Sequence, residues 1–116
     1  MAVYSNEALE EYRESFRDPA AIHASCEDYR ASAGIDLLHD KADAGNKLEM
    51  PLLVLWGTSG LVGSLYPVEA LWLQRAEQVT AKGLPFGHFL PEEQPEETTR
   101  QLADFFNSPE CSAMNQ

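Results

Sequence analysis

The order of hydrophobic and polar residues in the first third of the chain predicts helices. Between Ser5 and Phe16, apolar residues recur every three or four positions with charged residues between them, which is typical of an amphipathic helix. A second helix is predicted over Pro19 to Ala33, because Asp18 can accept hydrogen bonds from its free amides and proline needs no donor there. Gly34 would end this helix in a left-handed conformation. A shorter helical turn capped by Asp36 should follow, with its two leucines facing inward.

A continuous apolar run marks the point where the pattern changes. Pro51 to Trp56 contains no polar residue and stops at Gly57, as expected for a strand that is buried on both faces. Val79 to Phe86 is a weaker candidate for a second strand, since Gly83 and Pro85 interrupt it. Strands covered on both faces belong to parallel sheets with helices on either side.

Two further helices are predicted in the second half of the chain. Pro67 to Gln78 places Leu71 and Trp72 toward the core, and Pro95 to Phe106 forms a closing helix. The buried side of the closing helix should carry Leu102, Phe105 and Phe106. The alternation of strand and helix predicts an α/β fold whose parallel strands are joined by right-handed crossovers.

Two strands do not make a self-sufficient sheet of this kind. Each strand would expose an apolar face and an unpaired edge, so we expect more chain on the N-terminal side to cover them. The uncovered strands also predict self-association of the 116-residue chain, with a homodimer as one outcome.

Charge and composition exclude several classes of binding partner. Nineteen acidic residues against eight basic ones give a formal charge of −11, and this field repels nucleic acid phosphates and anionic membranes. The chain has neither a signal-peptide pattern nor an apolar stretch long enough to cross a membrane, which predicts the cytoplasm. Cys26 and Cys111 match no metal or redox spacing, so no metal site is expected.

The segment from Gly87 to Glu93 carries the clearest candidate for chemistry. His88 follows the second predicted strand, and parallel α/β sheets place their sites in the loops after the strands. Histidine suits a general base because its ordinary pKa, about 6.5, lies close to neutral pH. On this evidence alone a surface or hydrogen-bonding histidine remains the more common alternative. The acidic residues nearby, among them Glu93, sit at a helix start where the macrodipole favours negative charge.

Several motifs together resemble one family. A strand LLVLWG, a helix, a weak strand and then GHFLPEE before a helix resemble the closing section of the α/β-hydrolase fold, in which the histidine of the triad follows the last strand. GHFLPEE is shared with epoxide hydrolases and haloalkane dehalogenases. The segment CEDYRA (26–31), with Ile35-Asp36 and His39-Asp40, is more discriminating and resembles fluoroacetate and haloacetate dehalogenases. The resemblance covers roughly Tyr12 to Phe106.

This resemblance implies an architecture and a set of roles. Residues 1–48 would be the last helices of the helical cap and a connector, residues 49–110 the C-terminal strands and helices of the hydrolase core, and residues 111–116 a tail. Family members form an ester between an aspartate and the haloacetate substrate, and a histidine-activated water hydrolyses it. His88 matches that histidine, and Tyr29 matches a cap tyrosine that binds the departing halide. No cofactor is implied.

The departures from the family pattern concern the reaction centre. The chain contains no Gly-x-Asp-x-Gly nucleophile elbow, no oxyanion-hole His-Gly segment and none of the substrate-binding arginines beside the nucleophile. Gly57 to Gly60 has glycine where many relatives carry the triad acid. We therefore expect a C-terminal fragment of a dehalogenase that is inactive in isolation. Two alternatives remain: a fragment of an epoxide hydrolase or another α/β hydrolase, and a non-catalytic truncated remnant.

Overall fold

A computed structural model of the chain describes residues 3–112, so most of the predicted tail, residues 113–116, lies outside the described part. The chain divides between Gly45 and Asn46 into two compact units. The first unit is helical, and the second contains the strands. Each unit is described separately below.

The first unit consists of three helices. They are α1 (Asn6–Ser15), α2 (Pro19–Ser32) and α3 (Ile35–Asp43). The Ser5 side chain accepts a hydrogen bond from the amide of Ala8 at 3.1 Å, and the Asp18 side chain accepts one from Ala20 at 2.9 Å. These side chains satisfy amides that a helix start otherwise leaves unpaired, so the predicted beginning of α2 is confirmed.

Two details of the first unit differ from the prediction. Gly34 has φ −136° and is not left-handed; its amide donates to the Ala31 carbonyl at 2.9 Å, and α3 begins at the next residue. Asp36 lies inside the first turn of α3 and does not cap it. Gly34 is the residue directly before α3, so its backbone serves the start of that helix and not a left-handed end of α2.

The second unit is an α/β arrangement built on a two-stranded sheet. Its elements are β1 (Leu52–Gly57), α4 (Leu61–Leu65), α5 (Val68–Trp72), β2 (Val79–Leu84), α6 (Leu90–Glu93), α7 (Pro95–Phe106) and α8 (Pro109–Ser112). The strands pair in parallel, from Leu52 opposite Val79 to Gly57 opposite Leu84. Both predicted strands, their parallel direction and the closing helix are confirmed.

The helix predicted from Pro67 to Gln78 is shorter than expected. It ends at Trp72, and the following residues turn so that Ala76 forms a parallel bridge with Leu48. The amide of Leu48 donates to the Arg75 carbonyl, and the amide of Glu77 donates to the Leu48 carbonyl, both at 2.9 Å. Helix-like hydrogen bonds continue as far as Ala76, whose amide donates to the Trp72 carbonyl at 2.9 Å, and the pairing with Leu48 then takes over from them.

The buried residues lie around the sheet. The buried apolar residues are Val54, Val68, Ala76, Leu84 and Leu90. On α7 the buried side chains are Thr98 and Gln101. Of the three residues predicted to be buried there, Phe105 is half-buried, whereas Leu102 and Phe106 are exposed. Leu71, Trp72 and the two leucines of α3 are likewise exposed. The periodicity identified apolar helix faces, but the described residues do not cover them.

Candidate functional site

His88 follows the carboxyl end of the sheet. The strands end in register at Gly57 and Leu84, so the loops that leave them start side by side. The amide of Thr58 donates to the Leu84 carbonyl at 2.8 Å, and the amide of Ser59 donates to the Phe86 carbonyl at 3.0 Å. These hydrogen bonds join the loop after β1 to the loop that carries His88.

Glycine is required where these two loops meet. A Cβ atom added to Gly57 would lie 1.7 Å from the Gly87 carbonyl oxygen and 2.5 Å from that of Phe86. No side chain fits at such distances, because the obstacle is backbone. The end of β1 therefore supports the backbone directly before His88 through a contact that only glycine permits.

A carboxylate holds the other side of the same loop. Glu93, at the end of α6, accepts a hydrogen bond from the amide of Gly87 at 2.6 Å and another from the amide of Phe89 at 3.2 Å. The sequence alone predicts only that this carboxylate lies at a helix start, where the helix dipole favours negative charge. One feature of the sequence could have revealed this contact: the spacing between Phe89, the residue before α6, and Glu93 is close to that of a capping box.

The imidazole of His88 is exposed and lies beside a cavity of about 300 Å³. Its ring meets that of Phe89 edge to face, with 5.1 Å between the ring centroids and 78° between the ring planes. The cavity is lined by Leu55, Trp56, Gly57, Gly60, Val62, His88, Leu90, Pro91 and Thr98. Among these residues only His88 and Thr98 have polar side chains beyond the indole of Trp56, so the cavity is mostly apolar.

Thr98 is the one described side chain that buries a polar atom without a partner. The residue is 8% exposed, and its hydroxyl oxygen has no hydrogen bond within the described part of the chain. A buried hydroxyl in this state destabilises the fold, since water would have satisfied it in the unfolded chain.

The arrangement can supply a proton acceptor but not a complete reaction centre. No carboxylate is among the residues that line the cavity, so none of them can orient the imidazole in the way that a triad acid does. Between residues 3 and 112 there is also no group of three or more histidine, cysteine or acidic side chains placed to hold a metal ion. What the described residues offer is a histidine on a rigid loop beside an apolar cavity.

Tyr29, the other predicted site residue, belongs to the first unit. It lies on α2, and its side chain is 79% exposed. His23 and His39, the other two histidines, are both exposed. Tyr29 and His88 therefore belong to different units, and the halide-binding role of Tyr29 stays a prediction.

The ion pair between Glu97 and Arg100 on α7 shifts the pKa of both of its members. Hydrogen bonds from Arg100, and then from Gln101, hold the pKa of Glu97 below its ordinary value. Arg100 donates to both carboxylate oxygens at 2.7 Å, and this contact raises the pKa of the guanidinium. Arg100 is exposed, Glu97 is half-buried, and neither lines the cavity, so the pair belongs to the helix surface and not to the cavity.

Comparisons with known proteins identify the chain's relatives. A fluoroacetate dehalogenase from Burkholderia sp. is 42% identical over 104 residues, which are 90% of this chain and 34% of that protein. A soluble epoxide hydrolase from Corynebacterium sp. (strain C12) is 31% identical over 105 residues, which are 90% of this chain and 35% of that protein. No protein-family model matches the chain.

A solved structure from Nostoc sp. PCC 7120, described as an α/β hydrolase, has the same fold over the matching part. The TM-score is 0.86 at 50% identity, over 90% of this chain and 36% of that one. The chain thus spans about a third of the length of these relatives.

Proposed function

We propose that this chain, which belongs to the α/β-hydrolase superfamily, supplies the general base of a hydrolytic dehalogenase that acts on haloacetates. The observation that carries the proposal is the place of His88: it stands on a braced loop at the carboxyl end of the parallel sheet, beside an apolar cavity. The relative named a fluoroacetate dehalogenase supports the choice of substrate class.

The proposed reaction has two steps. First, an aspartate carboxylate attacks the carbon that bears the halogen; the carbon–halogen bond breaks, and the halide leaves with the electron pair. Next, His88 takes a proton from water, and the hydroxide adds to the carbonyl carbon of the aspartyl ester. The bond from that carbon to the substrate oxygen then breaks, and the imidazolium returns its proton to this oxygen, which releases hydroxyacetate and the free aspartate. The nucleophile and the acid that orients His88 would come from residues outside this sequence, which makes the isolated chain inactive.

Tyr29 would act in the first step. Negative charge grows on the halogen as the bond breaks, and a phenol hydroxyl can donate a hydrogen bond to it. Tyr29 lies on α2 and is exposed, so a halide can reach its hydroxyl. Under this proposal Tyr29 assists ester formation, whereas His88 acts only on ester hydrolysis.

A chimera tests the proposal. The matching 104-residue segment of the Burkholderia dehalogenase is replaced by the corresponding part of this chain, and fluoride release from fluoroacetate is measured. We expect turnover by the chimera and none by the 116-residue chain alone. His88→Asn should lower steady-state turnover about 10²–10⁴-fold while the ester accumulates, which intact-protein mass spectrometry detects as an adduct. Tyr29→Phe should instead slow the formation of that adduct.

The exposed histidine of α3 provides the matched control. His39→Asn makes the same chemical change outside the proposed machinery and should leave turnover unchanged. If a folded His88→Asn chimera hydrolyses fluoroacetate at the unsubstituted rate, His88 is not the base.

The relative named a soluble epoxide hydrolase supports a second candidate reaction. A chimera that opens a terminal epoxide to a diol but releases no fluoride would favour that reaction.

A further inference from the structure

We infer that Glu93 is the positioning residue of His88. Its carboxylate accepts hydrogen bonds from the main-chain amides of Gly87 and Phe89, which are the residues on either side of His88. Hydrogen bonds to an ionised acceptor are shorter and roughly twice as strong as those between neutral groups, and the 2.6 Å contact with Gly87 is a short one. One side chain thus holds the Phe86–Gly87 peptide group and the His88–Phe89 peptide group, which lie before and after the Gly87–His88 peptide.

The two hydrogen bonds restrict the imidazole through the backbone. Peptide groups are planar, so holding the peptide before Gly87 and the peptide after His88 leaves only the φ and ψ angles of Gly87 and His88 between two held points. The other side of the loop is held by the Gly57 contact and by the hydrogen bond from Ser59 to Phe86. With the backbone held from both sides, the imidazole keeps its edge-to-face contact with Phe89 and its place in the cavity lining.

Gly87, the residue before His88, is needed for the hydrogen bonds to Glu93. A Cβ atom on Gly87 would lie 2.5 Å from one carboxylate oxygen of Glu93 and 2.8 Å from the other. Any other residue at position 87 would therefore displace the carboxylate from the amides that it holds. Glycine at position 87 is therefore what lets the Glu93 carboxylate reach both amides.

This inference rests on the proposed function only for the catalytic meaning of His88, because the position of the ring can be measured without any turnover. The experiment uses NMR on the 116-residue chain and compares Glu93→Ala and Glu93→Gln with Glu96→Gln. Glu96 is exposed and three residues away, so its substitution removes one negative charge without touching the loop. Amide exchange reports the two hydrogen bonds, and the His88 ring resonances report the contact with Phe89.

We expect a graded effect. Glu93→Ala should speed exchange of the Gly87 and Phe89 amides at least about tenfold, because it removes charge-assisted hydrogen bonds. Glu93→Gln keeps one acceptor oxygen and should give a smaller increase. In both variants the His88 ring resonances should move toward those of an unstructured peptide, while the amides of β1 and β2 stay protected. Glu96→Gln should change none of these signals.

Each other outcome overturns the inference. Unchanged His88 resonances and unchanged exchange in both Glu93 variants would show that the carboxylate does not hold the loop. Loss of protection throughout β1 and β2 would make Glu93 a general stabilising residue, and an unprotected Gly87 amide in the unsubstituted chain would remove the hydrogen bond itself.

The chimera adds a readout of catalysis. There, Glu93→Gln should lower kcat and KM for fluoroacetate together, because it slows ester hydrolysis and lets the ester accumulate, while ester formation and hence kcat/KM stay nearly unchanged. An inactive unsubstituted chimera would count against the proposed function but not against the NMR result. An active chimera whose kcat is insensitive to Glu93→Gln would contradict the positioning role.

Discussion

At the scale of single residues, Gly57 allows the sharpest prediction about stability. An alanine Cβ at this position would lie 1.7 Å from a backbone oxygen of Gly87, and the loop would have to move to admit it. Overpacking of this kind costs about 1–3 kcal/mol. We expect Gly57→Ala to lower the free energy of unfolding of the second unit by at least this amount, measured by urea titration of the 116-residue chain.

Gly45 supplies the control for that substitution. A Cβ atom there meets nothing within 4 Å, and no described glycine has a positive φ angle. Gly45→Ala should therefore leave stability unchanged or raise it slightly, by about 0.4–1 kcal/mol, through the unfolded chain. Equal stability of Gly57→Ala and the unsubstituted chain would mean that the strand-end loops are farther apart than the structure places them.

Sequence reasoning at this scale located His88 but not the residues that hold it. The histidine could be placed because a strand pattern precedes it and parallel sheets carry their sites after their strands. Glu93 was assigned to a generic helix-start preference, since the sequence does not show that its side chain reaches back to the amides beside His88. The Gly57 contact was hidden for the same reason: it depends on the register of two strands far apart in the chain.

At the scale of elements, the sequence predicts an element correctly where hydrogen bonds within that element decide its structure, and wrongly where a distant partner decides it. The closing helix, Pro95–Phe106, has the predicted bounds because proline starts it and its hydrogen bonds are internal. The stretch after Trp72 was predicted helical but instead pairs with Leu48. The pattern from Pro67 to Gln78 carries no information about that distant partner, so local propensity was overridden by sheet formation.

The closing helix also carries a testable defect. Thr98 buries a hydroxyl without a partner, a condition that costs about 1–3 kcal/mol relative to a satisfied group. Valine has nearly the same shape and no hydroxyl. We expect Thr98→Val to raise the free energy of unfolding, by about 1 kcal/mol or more, in the same urea titration.

The adjacent threonine tests whether this gain is specific. Thr99 is exposed on the same helix, so Thr99→Val makes the same chemical change where water satisfies the hydroxyl. Its effect should stay within about 0.5 kcal/mol. A lower stability of Thr98→Val would indicate that the buried hydroxyl has a hydrogen-bond partner after all.

At the scale of the whole molecule, two opposing properties decide whether the chain associates. Within residues 3–112 the sheet has only two strands, and large apolar side chains remain open to solvent, among them Leu38, Leu61, Leu65 and Phe106. Apolar surface and unpaired strand edges favour contact between copies. No described helix has the length and apolar character to cross a membrane. The formal charge of −11 opposes contact by repulsion.

Ionic strength separates these two forces. Repulsion between the acidic chains reaches about 30 Å at 0.01 M salt but only about 8 Å at 0.15 M, whereas apolar attraction does not weaken. We expect light scattering after size-exclusion chromatography to give a mass near 12.9 kDa at low salt and a larger mass at higher salt or protein concentration. A mass that stays at the monomer value under all these conditions would show that the open edges and apolar faces are too weak to hold two copies together. A dimer that persists at low salt would instead mean that apolar contact outweighs the full unscreened repulsion.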